Sequence, residues 1–309
     1  MLCVRNPKCM TLAIKANLLS CASLALFTVV PVSAAADGVS IPALMFQPSV
    51  NLVLSVGNVE KSKEFYGAIL QLKPMANLNL PGGLVMTRYQ VGTTEIKLLH
   101  SEATQKTQTG KVDEAIGIRR LTLFLRDQQG LSDRFKAYDR PAPNFEKESA
   151  ERNLSRAMVS DPDGNQVELV IPRDGTPDDV FNKIELRLTV KEIESSRKFY
   201  RDFIGFKELD QSTVPPAGGS KLYHYRFGNT TISLGSYGER LPRHSGRWEE
   251  ARGIRYIQYI VRDLDAVNDF AKSSGVTIDQ QIFPLGTLAR IMFIADPDGI
   301  INEFVGLPK

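Results

Sequence analysis

Few side chains in this sequence are suited to chemistry, and their surroundings limit what they can do. There are three histidines, His100, His224 and His244. His224 stands between Tyr223 and Tyr225 in a strand-like stretch, where an imidazole can face a cavity or a packed rim. His100 closes another strand-like stretch. His244 lies in Arg240-Leu241-Pro242-Arg243-His244-Ser245-Gly246-Arg247-Trp248, a polar loop carrying the sole tryptophan. Such a loop suits a lid making cation–π or anion contacts, or a surface excursion with Trp248 tucked over a domain edge. Two Asp-Pro-Asp-Gly stretches, at 161–164 and 296–299, hold paired acids. Two acids fall far short of a calcium coordination set, so these read as turns in which Pro presets φ and Gly accepts positive φ. All three cysteines, Cys3, Cys9 and Cys21, precede residue 37. The remainder therefore has no thiol nucleophile and no thiolate ligand.

The elements that position these residues follow from an internal repeat. Val56 to Tyr66 matches Val190 to Tyr200, Gly117-Ile118-Arg119-Arg120 matches Gly253-Ile254-Arg255-Tyr256, and the two Asp-Pro-Asp-Gly turns match each other. The near-constant offset marks a duplication, with copies at 47–172 and 183–307. A polar linker with Pro and Gly joins them at 173–182. Within copy one, 51–56 alternates as a strand and 59–72 has helical spacing. The stretches 84–91 and 94–100 read as strands. The pattern then restarts, with a strand at 121–125, a helix at 130–138 and strands at 154–160 and 166–171. Copy two repeats the order. The unit is strand–helix–strand–strand–strand, four times over. The fold class is α+β, and pairing units lets two sheets each curve round a groove.

The first 36 residues read as a cleaved secretory signal. Arg5, Lys8 and Lys15 give a positive start, residues 18–30 are almost wholly apolar, and small residues follow at 32–36. The apolar run is shorter than the ~20 residues that cross a bilayer. The expected location is the periplasm or outside the cell, with no membrane span after cleavage. Removing three cations from 38 leaves 35, against 35 acidic residues. A near-neutral chain lacks the basic footprint of a nucleic-acid partner.

At the residues just quoted the chain resembles the glyoxalase/bleomycin-resistance/extradiol-dioxygenase (vicinal oxygen chelate) superfamily. Members have an acidic turn, then Ser-x-x-Phe-Tyr on a helix, often followed by Leu-Gly-Phe, and a closing hairpin Asp-Pro-Asp-Gly-Asn-x-x-Glu. Here these are Ser62–Tyr66 and Ser196–Tyr200 with Ile204-Gly205-Phe206, and Asp161–Glu168 and Asp296–Glu303. The resemblance implies two tandem domains, each of two βαβββ units forming a curved mixed sheet around a groove.

It also implies a metal cup, in which His or Gln, a second His and a last-strand Glu hold a divalent ion that polarises substrate. Carried over by position, copy one presents Asn51, Lys97, Arg120 and Glu168. Copy two presents Glu185, Ser233, Tyr256 and Glu303, with His224 nearby. Only the two last-strand glutamates fit the pattern. Arg120 beside Glu168 makes an ion pair rather than a metal site. Glu185 and Glu303 remain as candidate oxygen ligands for one divalent ion in copy two, with the third ligand unknown. Three readings stay open. One is a metal-independent protein sequestering a small molecule, similar to the bleomycin-resistance branch. The second is a divergent metal-dependent lyase or dioxygenase with its site in copy two. The third is a scaffold in which copy one supports copy two or a homodimer through unpaired sheet edges.

Overall fold

The computed structural model describes residues 39–100, 102, 106–147, 154–209, 221–238 and 240–309; the expected signal at 1–36 lies outside them. A short leading helix, α1 (Ile41–Leu44), precedes the first unit. Unit one is β1 (Asn51–Val56), α2 (Val59–Lys63), β2 (Lys73–Asn79), β3 (Val85–Val91) and β4 (Thr94–His100). Unit two is β5 (Gly117–Phe124), α3 (Gln128–Ala137), β6 (Glu146–Lys147), β7 (Leu154–Ser160) and β8 (Gln166–Pro172). Unit three is β9 (Ile184–Thr189), α4 (Ile193–Lys198), β10 (Lys207–Glu208), β11 (Tyr223–Phe227) and β12 (Thr230–Gly235). Unit four is β13 (Gly253–Ile260), α5 (Leu264–Ser273), β14 (Thr277–Leu285), β15 (Ala289–Ala295) and β16 (Ile301–Gly306).

The helices begin where the sequence supplies caps. Asn58, Asp127 and Asp263 each accept a backbone N–H from the first turn of α2, α3 and α5, satisfying a donor that has no partner inside the helix. Helices α2 and α4 each run on into a π-helical turn, at Glu64–Ile69 and Phe199–Phe203. Those turns drive Phe65, Tyr66, Phe199 and Tyr200 into the core.

Four βαβββ units are present, and the α+β class stands. Their partnership differs from the expectation that each copy curls round its own groove. The first sheet runs β14-β15-β16-β13-β1-β4-β3-β2 and joins units one and four. The second runs β10-β11-β12-β9-β5-β8-β7-β6 and joins units two and three. The seams are antiparallel, β1 against β13 and β5 against β9. The 173–182 linker therefore connects two units of one sheet. The described residues form one compact unit, with one continuous apolar core drawn from all four units.

Two devices hold this exchange. Within each copy the helix bonds to the next unit's acidic turn. The Tyr66 hydroxyl donates to Asp161 Oδ2 at 2.9 Å and the Tyr200 hydroxyl to Asp296 Oδ2 at 3.1 Å. Gly57 N–H donates to Asp163 and Lys191 N–H to Asp298. Burial raises the Asp161 carboxyl to about 6 and the Asp296 carboxyl to about 7. Between copies, the connections preceding units two and four cross, with bridges Thr107 to Arg252 and Ile116 to Arg243. A β-bulge in each seam strand sets an extra residue, Arg119 or Arg255, outside the ladder. Bulges re-aim side chains: Arg119 donates to His244 O, and Arg255 to Ser245 O and Arg247 O. Both guanidiniums are buried.

The outermost strands β2, β6, β10 and β14 are additions to the sequence reading. Each has only one ladder neighbour. Neither of the longer two has a buried residue, and each includes a proline, Pro74 or Pro284. Edge strands need no alternating apolar face, so the pattern that marks central strands is missing.

Candidate functional site

Each sheet has a core face and a groove face, and strand alternation decides which residue lies where. In β1, Leu52, Leu54 and Val56 join the common core, which leaves Asn51, Val53 and Ser55 to the groove. In β9, Ile184, Leu186 and Leu188 join the core, leaving Glu185, Arg187 and Thr189.

The first groove is filled. A separate apolar cluster, Val53, Met86, Leu99, Tyr256, Ile291, Phe293, Ala295 and Ile301, packs there with Trp248 against it. Beside it lies a sealed polar chain. Asn51 Nδ2 donates to Gln258 Oε1 at 3.0 Å, and Lys97 Nζ donates to the same oxygen at 2.5 Å. Gln258 Nε2 donates to Glu303 Oε2 at 2.5 Å. Asn51, Lys97, Gln258 and Glu303 are 1%, 5%, 5% and 5% exposed. Burial raises the Glu303 carboxyl to about 7, against the lowering effect of Gln258 and Lys97. Burial also lowers the Lys97 ammonium.

The second groove is polar. Arg120 donates to Glu168 Oε1 at 3.2 Å, and Glu168 Oε2 receives Thr122 Oγ1 at 2.8 Å and lies 3.3 Å from Arg156. Burial alone would raise the Glu168 carboxyl, but Arg120 and Arg156 hold it below its ordinary range. Ser233 Oγ meets His224 Nδ1 at 2.7 Å. Burial, then the nearby Arg187, lowers the imidazole. Arg187 donates to the Tyr237 hydroxyl at 3.1 Å. Glu185, across the ladder from Thr122, is raised by burial.

The expected site residues are thus regrouped. Asn51, Lys97 and Glu303 share the first groove, while Arg120, Glu168, Glu185, Ser233 and His224 share the second. Glu185 and Glu303 stand on different sheets, so they do not form the expected pair of ligands. Tyr256 belongs to the apolar filling. The position facing the last-strand glutamate is two residues further along each seam strand. Gln258 pairs with Glu303, and Thr122 with Glu168. Gln258, Thr122, Arg156 and Arg187 were therefore missed. The other histidines serve structure: His100 Nδ1 lies 2.9 Å from Val56 O, and His244 Nδ1 lies 3.1 Å from Thr109 O.

Neither donor set fits a divalent cation. In the first groove an ammonium already occupies the oxygen a metal would take. In the second, both Glu168 oxygens are engaged by guanidiniums, whose charge opposes that of a metal ion. Among the described residues no group of three or more His, Cys, Asp or Glu could hold a metal. An open recess of about 460 Å3 lies elsewhere, between the segment leading into β2, the start of α3 and Phe181. It shares no residue with either groove.

A family model described as Glyoxalase/Bleomycin resistance protein/Dioxygenase superfamily matches residues 49–169 and 181–304. No curated protein sequence matches the chain. Among solved structures, a glyoxalase I mutant from Zea mays has a TM-score of 0.62 at 20% identity, covering 83% of this chain and 91% of that one. Unmutated glyoxalase I from Zea mays has a TM-score of 0.58 at 19% identity, covering 83% and 91%. A dioxygenase-family protein from Bacillus subtilis has a TM-score of 0.56 at 14% identity, covering 84% of each. At such identities the likeness is one of fold.

Proposed function

We propose that this chain, which belongs to the Glyoxalase/Bleomycin resistance protein/Dioxygenase superfamily, binds a small molecule in its second groove without a metal ion. The observation that carries this reading is the double engagement of Glu168. The carboxylate best placed to ligate a metal is held by Arg120, Arg156 and Thr122. The groove around it is lined by hydrogen-bonding side chains on a rigid sheet, the usual form of a specific small-molecule site. The first groove is packed shut and supports the fold.

The test is elemental analysis of purified protein, before and after incubation with Mn, Fe, Zn and Ni, beside a thermal-shift screen of small molecules. The expected result is no stoichiometric metal and stabilisation by some compounds, because a ligand that binds only the folded state raises stability by mass action. Tight metal at one equivalent, lost in Glu168→Ala, would overturn the reading in favour of a metalloenzyme. The N-terminal pattern supports a site of action outside the cytoplasm. Sequencing the N-terminus of protein recovered from the periplasm checks it, with a start near residue 37 expected.

A further inference from the structure

The duplication makes each groove a control for the other. Val53 and Tyr256 face each other across the first seam, and Arg187 and Arg120 occupy the matching pair across the second. Ile291 sits opposite Val305 on the first sheet, and Arg156 opposite Val170 at the equivalent place. Three apolar side chains that fill one groove are thus three guanidiniums in the other. Arg226 lies on the same face of β11 with Lys207 opposite it on β10, and the carboxylates of this face are Glu168, Glu185 and, opposite Arg156 on β6, Glu146.

Arg120 and Arg187 keep hydrogen-bonding capacity that no internal partner takes up. Glu168 serves Arg120 and Arg156. Arg187 is steadied by a neutral phenol, Tyr237. The Nε atoms of Arg120 and Arg187 are buried without a hydrogen-bond partner, and so is Gln166 Oε1 on the same face. A buried donor without an acceptor is costly to a fold. Burial raises the Glu185 carboxyl, opposed by Arg156, Arg187 and Arg226 around it. Both guanidiniums are fixed in place before any ligand arrives, so little side-chain freedom is lost on binding.

We infer that the second groove is a receptor for a small organic oxyanion, a carboxylate or a phosphate monoester, taken up by Arg187 and Arg120 beside Ser233. The planar guanidinium fork matches both head groups through paired N–H donors. This inference rests on the small-molecule reading of the same groove and names the class of ligand.

Matched compounds test it: benzoate against benzamide, succinate against succinamide, phenyl phosphate against phenol, and inorganic sulfate as the bare ion. Each is titrated into wild type, Arg187→Gln, Arg120→Gln and the remote surface control Arg290→Gln. The acids should bind about tenfold or more tightly than their neutral partners. Arg187→Gln should erase that preference and Arg290→Gln should keep it. The carboxylate and phosphate arms decide which head group is preferred. Equal binding of acids and amides, or undiminished acid binding in both groove variants, overturns the inference and leaves the small-molecule reading standing. Binding of no compound of either kind removes both. Should the variants fail to fold, the wild type answers alone. Its arginine Nε–H resonances should shift on titration with the acids, and unmoved resonances during acid binding would overturn the assignment.

Discussion

The two grooves derive from one repeated unit, yet one is packed shut and the other is lined with charge. The loop before unit four reads Gly246-Arg247-Trp248-Glu249-Glu250-Ala251-Arg252-Gly253, and the loop before unit two reads Gly110-Lys111-Val112-Asp113-Glu114-Ala115-Ile116-Gly117. Where the first places Trp248 against the apolar filling, the second has the smaller Val112. Leu99 corresponds to Gly235, Phe293 to Met158, and Val53, Tyr256 and Ile291 to arginines. The backbone frame and the last-strand glutamate are kept in both. A shared fold therefore fixes where a site can form, and the residues on the groove face decide whether one does.

This contrast can be broken on purpose. The largest effect should come from Arg187→Val combined with Arg120→Tyr, which gives the second groove the residues of the first. Binding of the preferred acid should fall on the order of a hundredfold or more, as read by titration. Folding should survive, because replacing buried charge with packed apolar groups is often neutral or stabilising. Retained binding would show that the difference between the grooves is not carried by these arginines.

Next in size is Gln258→Leu, which leaves Lys97 and Glu303 without the amide that joins them. Glu303 then lacks its partner while Lys97 keeps Glu95 at 3.4 Å, and stability should fall by about 3 kcal/mol in urea denaturation. The matching change, Thr122→Val, should cost only about 1 kcal/mol, because Glu168 keeps two guanidiniums. Trp248→Ala should cost about 2 kcal/mol by leaving a void in the first groove. A neutral aromatic such as phenol should then stabilise the variant more than the wild type.

The smallest effect separates the two acidic turns. Asp161 and Asp296 have folded values of about 6 and about 7, above the roughly 4 of an unfolded chain. The folded state therefore holds their protons more tightly, so their contribution is full below about pH 4 and declines as pH rises through 6 and 7. Glu303, also at about 7, acts in the same direction. Melting temperature measured against pH should fall across that window. Asp161→Asn should flatten its lower part and Asp296→Asn its upper part.

Much of the fold could be read in the sequence because its landmarks are chemical. The Phe-Tyr pairs must be buried, and the Asp-Pro-Asp-Gly turns cap tyrosine hydroxyls as well as turning the chain. The exchange of units could not be read this way. Pairing within a copy and pairing across copies require the same strands with the same apolar faces, so periodicity does not distinguish them. The edge strands lacked alternation. Arg120, Glu168, Glu185, Ser233 and His224 were all marked, but Arg187 and Arg156 were not. Their signal lay in the repeat, where extending the offset along β9 and β7 sets arginine against Val53 and Ile291. Tyr256 lies on the groove face, but the residue paired with Glu303 is Gln258, two positions on along that face.

The seam between β1 and β13 has a consequence for how the molecule is made. Asn51 and its partner Gln258 are 207 residues apart, so a chain growing from its N-terminus completes unit one long before unit four exists. Until then β1 has an open hydrogen-bonding edge, and closing so long a loop is slow. The middle sheet, whose units follow one another directly, can assemble first and serve as a template. A chaperone that shields residues 51–56 during synthesis would therefore speed maturation without touching the finished protein.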